Sequence, residues 1–114
     1  LGITEFLIIT DPNRMGELAV ELSEKWAAKK IKSVGTNTYC LPRQDSHACF
    51  SLCGDYAPQL FAKLCAIDFR ANHFPNLGVV QTSIARLSSI IVRNDLSGTL
   101  SYLIFTDCTS AEYL

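Results

Sequence analysis

The stretch Val79-Val80-Gln81-Thr82-Ser83-Ile84-Ala85-Arg86-Leu87-Ser88-Ser89-Ile90-Ile91-Val92-Arg93 decides how this chain folds. Val79, Val80, Ile84, Ile90, Ile91 and Val92 are β-branched, and such side chains suit a pleated sheet better than a helix. The run predicts two strands, Val79 to Ala85 and Leu87 to Arg93, or one long bent strand in their place. Polar groups punctuate it. Gln81 and Thr82 sit beside valines, Arg86 interrupts the apolar run and Arg93 closes it. Burying such groups unpaired is expensive, so each must reach solvent, a neighbour in the fold or a partner.

Downstream, Asn94-Asp95-Leu96-Ser97-Gly98 reads as a hairpin loop. Thr99 to Thr106 then alternates Leu100, Tyr102 and Ile104 against Ser101, Leu103 and Phe105, the period of a strand. Thr109-Ser110-Ala111-Glu112 has capping-box spacing and predicts a helix beginning at the end of the chain. Upstream, Arg70 to Gly78 is a polar loop. Before it lies a helix with Asp55 as its cap, Pro58 in its first turn and an apolar stripe of Ala57, Leu60, Phe61, Leu64 and Cys65. His47 to Cys53 predicts a strand, with Ala48, Phe50 and Leu52 facing the core and His47, Cys49, Ser51 and Cys53 facing away.

The first third repeats the scheme. Ile3 to Thr10 reads as a strand. Asp11 and Pro12 have the residue types of a helix start, and the helix runs to about Lys29. Its apolar face is Met15, Leu18, Ala19, Leu22 and Trp26, and Glu21 and Lys25 form an i,i+4 pair. Ser33 to Cys40 is a further strand. The order β-α-β-β-α-β-β-β predicts an α+β fold: a ferredoxin-like split βαβ with additional antiparallel strands and helices on one face of the sheet.

Composition narrows the class. The 114 residues suit one domain, 1–114, with a sizeable core. Leu1 is not an initiator Met, and the closing capping box has little chain after it, so truncation at one or both ends is expected. A net charge of −1 offers no basic face for nucleic acid. No apolar run approaches the ~20 residues of a membrane span. The five cysteines, an odd number without a secretory leader, point to free thiols and a cytoplasmic setting. His47, Cys49 and Cys53 lack the spacing of a zinc site, so the thiols are expected to be small buried residues on a strand. Lys25, Lys29, Lys30 and Lys32 read as a solvated helix end.

A resemblance to a known family rests on Ser51-Leu52-Cys53-Gly54-Asp55-Tyr56-Ala57, Leu64-Cys65-Ala66-Ile67-Asp68-Phe69, Phe74-Pro75, Gln81-Thr82-Ser83-Ile84-Ala85-Arg86, Arg93 and Ser110-Ala111-Glu112-Tyr113-Leu114. These segments resemble the gamma subunit of heterotetrameric sarcosine oxidase, within the folate-binding aminomethyltransferase superfamily that includes the glycine-cleavage T-protein. Gln-Thr-x-x-Ala-Arg is the most specific of them. The likeness is strong after Ser51 and looser before it, where Thr4-Glu5-Phe6-Leu7-Ile8-Ile9 with Pro12 carries it.

The resemblance implies a non-catalytic subunit that binds no cofactor of its own. Its partners would be alpha- and beta-type subunits carrying FAD, FMN, NAD and tetrahydrofolate, and the complex would demethylate sarcosine to glycine and load the one-carbon unit onto tetrahydrofolate. Where the aminomethyltransferases of the superfamily place an acidic residue, this chain has Arg86-Leu87-Ser88. Neither a dinucleotide-binding glycine run nor a phosphate-binding loop is present. Gln81, Thr82, Arg86 and Arg93 are therefore the candidate partner-binding residues. The arginines have an equally good alternative in Asp55, Asp68 or Asp95 within the fold. The alternative function is a stand-alone tetrahydrofolate-binding or aminomethyltransferase-like protein. A small regulatory ferredoxin-like module is a third.

Overall fold

The structure, a computed structural model, describes residues 5–9, 14–30, 41, 43 and 45–114. The chain falls into two compact units, Gly2–Gln44 and Asp45–Leu114.

In the first unit, α1 spans Met15–Lys30. Leu18 and Leu22 are half-buried, as their spacing predicts, whereas Trp26 on the same stripe is 40 % exposed. Lys25 donates to Glu21 one turn earlier, as expected. Residues 5–9 of the predicted first strand form no ladder, and Phe6, Ile8 and Ile9 are exposed. Hydrophobicity suits a segment to a strand, but only a paired neighbour makes one. The predicted strand Ser33 to Cys40 and the helix start at Asp11 and Pro12 lie outside the described residues.

The second unit holds β1 (His47–Cys53), α2 (Ala57–Leu64), β2 (Val79–Ile84), β3 (Leu87–Arg93), β4 (Ser101–Asp107) and a short 3₁₀ turn, Cys108–Ser110. The molecule is α+β. The sheet has the order β1-β4-β3-β2, and all three pairings are antiparallel. The split βαβ arrangement differs in this unit: α2 connects β1 and β2, the outermost strands among the described residues, and those strands do not run parallel. Short loops make a meander of β2, β3 and β4, and β1 takes the remaining edge of β4.

The decisive stretch is thus a hairpin, not one bent strand. Ala85 and Arg86 form its two-residue tip with φ of 47° and 73°, the positive-φ pair that matches the twist of tightly joined strands. Neither is glycine or asparagine, so both residues hold an unfavourable left-handed backbone. Ala85 is fixed there by its N–H bond to the Leu64 carbonyl at the end of α2. Replacing the exposed Arg86 by glycine should raise stability by ~0.5–1 kcal/mol. Urea unfolding checks it, and an unchanged or lower midpoint would contradict it.

Cross-strand rows define the two faces. On the inner face Val80, Ile91, Ile104 and Phe50 align, as do Thr82, Ser89, Thr106 and Ala48. The core is Ala57, Phe61, Phe69, Phe74, Ile84, Ile91, Tyr102 and Ile104. Its centre is aromatic: the Phe61 ring lies 4.3 Å from Phe69 and 5.1 Å from Tyr102, and Phe69 lies 4.9 Å from Phe74. The Tyr102 hydroxyl is not stranded, since it donates to the Phe69 carbonyl at 2.6 Å.

Three local expectations need correction. Tyr56, not Asp55, occupies the cap position of α2, and no side chain caps the helix. Gly54 takes up the turn with φ +114°, and its carbonyl receives the Ala57 N–H. Leu60 is 42 % exposed and Phe61 fully buried, because an eight-residue helix on one sheet presents a narrow stripe. At the end of the chain Asp107, not Thr109, is the cap. Its carboxylate accepts from the Thr109 N–H at 2.9 Å and hydroxyl at 2.6 Å, and this pulls it below its ordinary pKa.

Candidate functional site

The four residues proposed for partner binding do not form one site. Gln81 and Thr82 are neighbours on β2 and therefore face opposite sides of the sheet. Gln81 is exposed in the outer row with Ile90, Phe105 and Cys49, whereas Thr82 joins the inner row of small side chains. Arg86 is exposed at the hairpin tip. Arg93 ends β3 on the inner face with its side chain 8 % exposed.

Arg93 is consumed inside the fold. Its Nε and Nη2 make a paired contact with the Asp95 carboxylate at 2.9 and 2.6 Å. Its Nη1 donates to the Ala71 carbonyl at 3.1 Å and the Phe74 carbonyl at 2.5 Å. The planar guanidinium serves this geometry, since one fork holds a carboxylate while the remaining nitrogen reaches the loop. Of the partners anticipated from sequence, Asp95 is the one it takes. Hydrogen bonding to Arg93 holds Asp95 below its ordinary carboxylate pKa, and the same pairing raises that of Arg93.

The surrounding backbone completes a clamp. Leu77 N–H donates to the Arg93 carbonyl and Arg93 N–H to the Gly78 carbonyl, each at 2.9 Å. The Asn76 side-chain oxygen accepts from Asp95 N–H at 3.0 Å and Leu77 N–H at 3.1 Å. Gly78 is required by close approach, for a Cβ there would lie 2.8 Å from the Pro75 carbonyl oxygen. This network straps the loop before β2 onto the loop between β3 and β4. It is structural work, with every participating charge matched.

A second charged cluster borders an open depression of about 550 Å³ whose lining includes Gln59, Cys65, Ile67, Asp68 and Arg70. Arg70 binds Asp68 through Nε at 2.9 and 3.0 Å and through Nη2 at 2.6 Å. Arg70 drives the exposed Asp68 carboxyl down to about 2. His73 lies 3.8 Å from the same carboxylate. The depression thus offers a ligand a charge pair that is already satisfied. Among the described residues no three His, Cys, Asp or Glu side chains group to hold a metal ion.

The thiols depart from expectation. Cys49, Cys53 and Cys108 are exposed and Cys65 is half-buried; all four are free. The period-two pattern does place Cys49 and Cys53 on the face away from the core. That face is not covered in the way buried thiols require, which periodicity could not reveal. Cys53 Sγ lies 3.3 Å from both the Ser101 and Ser51 hydroxyls, which lower its pKa, while burial raises that of Cys49. Cys53 should therefore react faster than Cys49 with iodoacetamide near neutral pH. Timed alkylation followed by peptide mass spectrometry checks this, and equal or reversed rates would contradict it.

The outer face carries the main feature that sequence reasoning undervalued. Val79, Val92 and Leu103 form one row ending at Ser51, and Ile90 and Phe105 form the next between Gln81 and Cys49. None of these apolar residues belongs to the core; Val79 is 48 % exposed and the others half-buried. Their alternation with Val80, Ile91 and Ile104 was the available signal, masked because both faces of β3 are aliphatic.

No protein-family model matches this chain, and neither a curated protein nor a solved structure is significantly similar to it. Among the described residues no helix is long and apolar enough to cross a membrane.

Proposed function

We propose that this chain is a non-catalytic, gamma-type subunit of a cytoplasmic sarcosine oxidase-like complex, and that it binds alpha- and beta-type subunits through the outer face of its sheet. The observation that carries the reading is the distribution of side chains over that face. Val79, Val92, Leu103, Ile90 and Phe105 form an apolar centre outside the core, with Ser51, Gln81 and Cys49 at its margins. An apolar centre with a polar rim is the make-up of a subunit interface. Arg86, exposed at the hairpin tip, adds a planar donor for a partner carboxylate or carbonyl. Arg93 supports the assembly indirectly, by holding the loops beside the sheet.

In this reading FAD, FMN, NAD and tetrahydrofolate belong to the partner subunits. The internally paired Asp68 and Arg70 agree with it, since neither is left to act on a substrate. Affinity purification of the tagged chain from its native source tests the proposal. The expected result is co-purification of a flavin-containing large subunit, weakened by Arg86→Glu. Recovery of the chain with no flavoprotein would overturn it. Calorimetric titration with tetrahydrofolate separates the alternative: saturable binding near micromolar affinity, worth ~8 kcal/mol, would favour a stand-alone folate protein.

A further inference from the structure

We draw no further inference here: the strongest candidate, the open depression beside the end of α2 bordered by Asp68 and Arg70, carries none, because that charge pair is already satisfied within the fold and nothing in the structure shows what would occupy the space between its walls.

Discussion

Replacing Phe61 by alanine should lower the stability of the protein by ~3–5 kcal/mol, the range for emptying a fully buried aromatic site. Phe61 has no exposed surface and touches the core from the middle of α2. Its ring is packed between Phe69 and Tyr102, at 4.3 and 5.1 Å between centroids. Those rings are held by different segments: Phe69 lies beyond α2 and Tyr102 is on β4. Removing Phe61 therefore takes contacts from the helix, the loop and the sheet together, and the cavity cannot close without moving all three. Phe61→Leu should cost much less, because most of the volume is kept. Urea unfolding with a shared slope measures both. A loss below ~1.5 kcal/mol for the alanine variant would show that α2 contributes little to the core.

The second large effect concerns Arg93. Arg93→Ala should cost ~2–4 kcal/mol, because it strips the buried Phe74 carbonyl and the part-buried contact at the Ala71 carbonyl of their donor as well as breaking the pair with Asp95. Arg93→Lys should recover only part of this, since an ammonium cannot make the two-point contact. The pH dependence has a definite sign. Asp95 is held below its ordinary value of 3.8 by hydrogen bonding to Arg93. Its folded pKa is thus lower than its unfolded one, so its contribution is complete above pH 3.8 and is lost as pH falls through the lower folded value. The stability gap between the wild type and Arg93→Ala should therefore be constant near neutrality and narrow below pH 3.8. Denaturant titrations at pH 7 and pH 3 measure it; a gap that widens on acidification would exclude the Asp95 contact as a source of stability.

Arg93 also shows what was legible in the sequence. Its position at the end of a β-branched run, close to Asp95, made an internal pair as good a reading as a subunit contact. The choice depended on burial, which arises only when the segment 71–78 folds over the end of β3. Gln81 and Thr82 show the same limit. Their adjacency in a strand already implies opposite faces, but which face is covered is a property of the sheet.

The strands His47–Cys53 and Leu87–Arg93 were readable because their apolar alternation or β-branched content is strong and local. The alternation of β4 was readable for the same reason. Caps were less so: Asp55 and Thr109 have the right residue types, but Tyr56 and Asp107 occupy the positions. A cap depends on where the adjoining strand or turn stops, to within one residue. The thiols were misread because facing away from a core and being buried are different facts.

By itself the sequence determined which segments of Asp45–Leu114 become strands and helix, and for β1 which side chains form the inner face, because period-two and period-3.6 patterns are local properties of the chain. The tertiary structure alone decided the strand order, with β1 beside β4. Hydrogen bonds between strands are made by the backbone, which is the same at every residue. No residue type in β1 names its neighbour; that depends on loop closure and on the edge left free once the meander has formed.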